Sequence, residues 1–243
     1  MVKCISLRYL RTLWLAAVAV LCAGTAAAKT YIVCVGISDY PGEVNDLYLC
    51  AKDARTIQWL FDKNGNAETT VLTDREATVS NISAAMRRLY AKAGKNDAIA
   101  IFYSGHGNAG SLECRDGELA YDAMCRIFDE SKARRRFAFI NACFSGTLRR
   151  TRDFTALNKK EVMFFMSSRS GEYTLENSFM RNGIFTAYLQ QGLRGSADTD
   201  RNRKITAREL FEYVSQKVRE KTDNKQHPVM WGKFDDDMVI MQW

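Results

Sequence analysis

Proline and histidine are both scarce in this chain, two of each in 243 residues. Pro41 and Pro228 stand alone, and no Gly/Ser-rich stretch, low-complexity run or internal repeat lies between them. That argues against a linker joining two domains and against a repeat array. Long apolar runs are missing too. Leu13 to Leu21 is the candidate, and it falls well short of the roughly 18 residues of a membrane-crossing helix. Charge of one sign is modest: the formal +7 includes Lys3, Arg8 and Arg11 at the extreme N-terminus, and about +4 remains without them. The cluster Arg134-Arg135-Arg136 has no interleaved aromatics, so it reads as a solvated helix end and not as a nucleic-acid surface.

The three early basic residues, the apolar run and the small residues Ala26-Ala27-Ala28 together read as an export signal at 1–28, cleaved near Ala28. The expected destination is outside the cytoplasm, with no stable membrane insertion after processing. The remaining 29–243 suits one domain with a substantial core. Of seven cysteines, Cys4 and Cys22 leave with the signal, and five stay: Cys34, Cys50, Cys114, Cys125 and Cys143. An odd number in an oxidising compartment leaves at least one thiol unpaired. Cys114 and Cys125 flank a short segment and are the candidate pair; Cys34, mid-strand, reads as buried.

Apolar runs at Tyr31 to Ile37, Thr69 to Leu72, Asp97 to Tyr103, Arg136 to Asn141 and Glu161 to Met166 read as strands. Between the first of them, Cys50, Ala54, Ile57 and Phe61 recur at helical spacing, as do Val79, Ile82, Met86, Leu89 and Ala93. Strand and helix in alternation indicate a largely parallel sheet flanked by helices.

Two of those strands end in reactive side chains. Tyr103-Ser104-Gly105-His106-Gly107 closes one and Asn141-Ala142-Cys143-Phe144-Ser145-Gly146 closes another. A thiol of ordinary pKa, about 8.5, is mostly neutral at pH 7 and needs an imidazole to take its proton. A parallel sheet brings the carboxyl ends of its strands to one rim, where such proteins place their ligands. His106 and Cys143 are therefore the candidate base and nucleophile, and the amides of Gly107 and Cys143 the candidate oxyanion hole. No organic cofactor or catalytic metal is needed for that chemistry. His227, ahead of Pro228, has no adjacent glycine turn and reads as structural.

These two motifs resemble the caspase, metacaspase and orthocaspase family of cysteine peptidases in its bacterial form. The resemblance extends to Val35-Gly36-Ile37-Ser38-Asp39-Tyr40, to Leu49-Cys50-Ala51-Lys52-Asp53-Ala54, to Ser167-Ser168-Arg169, to Glu172–Glu176 and to Asn182-Gly183-Ile184-Phe185-Thr186. It implies a caspase-like three-layer α/β sandwich and peptide hydrolysis through a thioester. It also implies a large-subunit-like part at 29–148, a connecting loop at 149–160 and a small-subunit-like part at 161–243. Similar metacaspases cut after Arg or Lys with acidic side chains in the pocket. One of those positions is Asn141 here, and the other is Asp53, with Cys50 beside it; Ser168 is a further candidate substrate-binding residue. A single carboxylate still pairs with a guanidinium, with less charge compensation. Arg149, Arg150 and Arg152 in the connecting loop are then candidate self-cleavage points. Two rival readings stay open: a caspase-like module that binds a peptide without cleaving it, and a cysteine hydrolase acting on a non-peptide acyl group.

One further segment, Asp198 to Glu209, matches a calcium-binding EF-hand loop at Asp198, Asp200, Asn202 and Glu209. Arg203 stands where such loops have glycine, and Arg201, Lys204 and Arg208 add positive charge. The same residues admit a simpler reading, in which Thr206 and Glu209 form a capping box for the helix carrying Leu210, Phe211, Val214 and Val218.

Overall fold

The computed structural model describes residues 28–64, 66–143, 161–169 and 182–243. Residues 1–27 of the expected export signal, the expected connecting loop at 149–160 with Arg149, Arg150 and Arg152, and Glu172–Glu176 lie outside the described residues. In chain order come β1 (Thr30–Gly36), α1 (Cys50–Asn64), β2 (Ala67–Thr73), α2 (Val79–Tyr90) and β3 (Ala98–Ser104). Three short strands follow, β4 (Gly107–Asn108), β5 (Ser111–Cys114) and β6 (Gly117–Ala120), then α3 (Tyr121–Glu130), β7 (Arg135–Asn141) and β8 (Glu161–Met166). Last are α4 (Ile184–Gln191), β9 (Lys204–Thr206), α5 (Ala207–Lys221), β10 (Val229–Lys233) and β11 (Val239–Gln242).

Six strands form the main sheet in the order β10-β8-β7-β3-β1-β2, all parallel except β10 against β8. The central strands are apolar on both sides because helices cover both faces. β2, with Thr and Glu in AETTVLT, is part-buried along its length and forms the edge. Side chains alternate between faces, and register lines them into rows. Cys34, Phe102, Phe139 and Phe165 lie side by side on the face covered by α1, α4 and α5. Val35, Tyr103, Ile140 and Met166 form the next row, on the face covered by α2 and α3. The strands and helices expected from periodicity are therefore present, in three layers.

Two expectations are corrected. Arg136 is not part of a solvated helix end: it lies inside β7, fully buried, with Nε donating to Phe128 O at 2.8 Å and a terminal nitrogen to Ser131 O at 3.2 Å. It caps the last carbonyls of α3, a role that needs a long cation reaching beneath the helix. Nor do Cys114 and Cys125 pair. Among the described residues no disulfide forms; the Cys114 thiol lies against Leu112 O, and Cys125 belongs to the core face of α3.

β1 closes on α1 at Gly36, where a Cβ would lie 2.1 Å from Cys50 O. Glycine lets the helix start directly against the strand end. Gly36→Ala should therefore cost about 3 kcal/mol, read as a lower urea midpoint at unchanged slope. An unchanged midpoint would mean that this approach is not needed.

Candidate active site at the carboxyl ends of the strands

Ser104 and Asn141 are paired at the ends of β3 and β7, and the Gly105 amide donates to Asn141 O at 3.2 Å. His106 and Cys143 each follow two residues later, so the sheet's register brings them to the same rim. The chain after His106 turns into the antiparallel strands β4, β5 and β6. That turn leans on the nucleophile loop: a Cβ on Gly107 would sit 2.8 Å from Cys143 O and 2.9 Å from Ala142 Cβ. From the other side, past β8, the hydroxyls of Ser167 and Ser168 donate to Ala142 O at 3.3 and 3.4 Å. His106 and Cys143 are both part-buried, open enough to meet a ligand.

The imidazole is held at several points. Its Nε2 lies 2.7 Å from Asn45 O, and since a carbonyl only accepts, this nitrogen carries the proton. In the neutral imidazole Nδ1 is then the lone-pair nitrogen. The His106 amide donates to the Tyr40 hydroxyl at 2.8 Å, and the Tyr40 ring lies 4.6 Å from the imidazole, centroid to centroid, tilted by 51°. The Tyr103 hydroxyl sits 2.7 Å from His106 O and 2.6 Å from Glu113 O. Only glycine fits between the two tyrosines, because a Cβ on Gly105 would come within 2.6 Å of both hydroxyls.

Behind this rim lies Asp53, on the first turn of α1 and fully buried. Oδ1 accepts from Asn182 Nδ2 at 2.7 Å and the Gly183 amide at 3.1 Å. Oδ2 accepts from the hydroxyls of Thr186 at 2.9 Å and Ser104 at 3.0 Å, and from Asn141 Nδ2 at 3.3 Å. Burial pushes the carboxyl up to about 6, against those hydrogen bonds, which favour its ionised form. Asn141 spends its Nδ2 on Asp53, Ser104 and Thr186, which fixes the amide's orientation, and its Oδ1 is buried without a hydrogen-bond partner among the described residues. Asp53 and Asn141 thus form one polar cluster. Cys50 is set apart from it, buried with its carbonyl packed on Gly36.

His227 lies two residues ahead of β10, and β8 stands between that strand and β7, about two strand spacings, or roughly 10 Å, from the strand that leads to Cys143. In the 198–209 loop the carboxylates of Asp198, Asp200 and Glu209 offer ligand atoms within 4.8 Å of one another. Their oxygens are occupied by the loop itself. Asp198 accepts from the amides of Asn202 and Arg203, and Asp200 from the amide and side chain of Asn202. Glu209 takes the amides and hydroxyls of Thr199 and Thr206, which completes the capping box. Arg201 and Arg203 adopt positive φ, 60° and 64°, so the turn closes without glycine.

Asn45, Tyr103, Asn182 and Thr186 join the site without a sequence signal for that role. Tyr103, Asn182 and Thr186 stand within the motifs quoted above, but Glu113 is 10 residues from Tyr103, and Asp53 is 129 from Asn182 and 133 from Thr186, where spacing carries no signal.

A caspase-domain model of peptidase family C14 matches residues 29–239. No curated protein sequence matches the chain. Among solved structures, caspase-1 from Spodoptera frugiperda superposes with a TM-score of 0.67 at 16% identity, over 88% of this chain and 90% of that one. A protein from Geobacter sulfurreducens, solved as a structural-genomics target, gives 0.65 at 17% identity, over 86% and 95%. At these identities the likeness is one of fold.

The Asp53 cluster has a pH signature. Its carboxyl titrates at about 6 folded and about 3.9 unfolded, so between those values only the folded state holds the proton. Stability should accordingly fall, by an amount on the order of 2 to 3 kcal/mol from this group, as pH rises from about 4 to about 6. Urea unfolding across that range should lose this slope in Asp53→Asn. The same slope in both proteins would show that Asp53 titrates normally.

Proposed function

The chain belongs to the caspase-domain family of peptidases, and on that premise we propose that it is an exported cysteine endopeptidase with Cys143 as nucleophile, His106 as base, and a preference for Arg or Lys before the cut. The observation that carries this reading is the register of β3 and β7, which sets both residues two positions past paired strand ends, with Gly107 packed on Cys143 O.

In the proposed reaction the Cys143 sulfur attacks the peptide carbonyl carbon while its proton passes to His106 Nδ1, the nitrogen left open by the Asn45 contact. The carbonyl electrons move onto oxygen, facing the amides of Gly107 and Cys143. Collapse of that oxyanion breaks the C–N bond, His106 returns the proton to the leaving amine, and a thioester remains. Water attacks the thioester with His106 again as base, releasing the acid and restoring the thiol.

The preference for a basic residue is supported by the unpartnered Asn141 Oδ1, an acceptor beside the buried Asp53 carboxylate. Ser168, at the end of β8, borders the same loop. Export is supported by the basic, apolar and small residues of 1–28. Among the described residues no helix is long and apolar enough to cross a membrane.

Residues 29–243 should release a fluorophore from peptides ending in Arg or Lys faster than from one ending in Asp. Cys143→Ala and His106→Ala should each lower kcat by about 1,000-fold or more. Silence on all peptides from folded, reduced protein would favour a binding module, and turnover confined to non-peptide esters would favour an acyl hydrolase. On prolonged incubation the active protein should also nick itself after Arg149, Arg150 or Arg152; an intact mass unchanged throughout would end that expectation.

A further inference from the structure

We propose that Tyr40 is the positioning residue of the His106 imidazole, and that it governs kcat while leaving substrate affinity unchanged; the proposal rests on the peptidase reading above. Tyr40 meets His106 at two points and is tied to the loop that supplies a third. Its hydroxyl accepts the His106 amide at 2.8 Å and fixes the Cα. Its ring, 4.6 Å away, limits the rotation of the imidazole about its side-chain bonds. Its own amide donates to Asp46 Oδ1 at 3.0 Å, anchoring the residue next to Asn45, whose carbonyl receives the imidazole N–H.

Tyr40 is in turn over-determined. It is buried in the core cluster beneath α2. Its hydroxyl donates to Glu113 O at 3.1 Å and lies 3.3 Å from the Tyr103 hydroxyl. Burial pushes its own acidity further from neutrality, so the hydroxyl stays protonated in the working range. The loop that carries Asn45 closes on the same strand end through Leu47 N to Ser38 O at 2.9 Å and Asn45 Nδ2 to Pro41 O at 3.2 Å. A ring plane, a backbone anchor and a carbonyl acceptor therefore converge on His106; Tyr40 supplies the first two and is tied through Asp46 to the segment that supplies the third. A base held to within tenths of an ångström is what proton transfer requires, and a displacement of about 1 Å costs as much as 100-fold in rate.

The test uses the full chain and two variants, with kcat and KM on the Arg peptide and the rate of iodoacetamide labelling at Cys143 read by peptide mass at pH 7. Labelling reports the thiol whatever the natural substrate is, and the other described thiols are buried. Tyr40→Phe keeps the ring and loses the hydroxyl; kcat should fall about 10-fold. Tyr40→Leu loses both, and kcat should fall about 100-fold, with KM within about twofold and labelling slowed in parallel. Values are taken per folded molecule, from circular dichroism, and if Tyr40→Leu does not fold, Tyr40→Phe decides. Wild-type kcat and labelling in the folded variants, or a raised KM at unchanged kcat, would overturn the role of Tyr40 alone. A wild-type protein that cleaves nothing, and whose Cys143 labels no faster than in His106→Ala, would overturn the peptidase reading and this role with it.

Discussion

The buried carboxylate of Asp53 is the contact on which the rest of the site depends. Five donors converge on its two oxygens, from the ends of β3 and β7 and from the segment that opens α4. A helix start, two strand ends and a residue group about 130 positions further along are thereby held in one place. An acceptor-only group satisfied this fully tolerates a burial that would otherwise cost several kcal/mol. Its raised pKa comes from the burial and not from these donors. Desolvation opposes the charge, and five hydrogen bonds recover only part of the difference.

Around that anchor, close backbone approach replaces side-chain bulk. Gly36 lets α1 start against β1, Gly105 passes between two tyrosine hydroxyls, and Gly107 rests on the Cys143 loop. Gly183 does the same beside Asp53 and Asn141, where a Cβ would stand 3.0 Å from each. Each glycine stands where secondary structure ends and the site begins, so the rim is built from main chain. In the proposed reaction such main-chain amides act as fixed dipoles that need no reorganisation.

Burial also sorts the cysteines. Desolvation raises the Cys34 thiol, and carries that of Cys114 up to about 12, so both are inert at neutral pH. Cys143 alone among the described cysteines is part-buried at the rim. The 198–209 loop shows the opposite economy: Glu209 closes both the loop and the helix that follows. Burial pushes its carboxyl up, and four hydrogen bonds from Thr206 and Thr199 outweigh that, leaving it below the ordinary range. Two arginines at positive φ provide the turn. The residues that read in one dimension as a cation loop also form, in three, a satisfied helix start.

The strands were legible in the sequence because the central ones are apolar on both faces, and α1, α2 and α5 because their core residues recur at helical spacing. His106 and Cys143 were legible as candidates because each follows a strand and adjoins glycine. The family resemblance added the pocket positions. Local pattern did not reveal that Arg136 is buried beneath α3, that Cys114 and Cys125 stay apart, or that Asp53 is enclosed. Arg136 sits in a basic run that looks solvated, yet strand parity turns it under α3. Likewise, the setting of the imidazole by Tyr40, Asn45 and Tyr103 depends on hydroxyls and a carbonyl brought together across loops. Periodicity and local motifs act within one turn or one strand, so the sequence alone determines elements and candidate chemistry. Which polar groups meet depends on strand register and loop closure over tens of residues, and only the tertiary structure decides that.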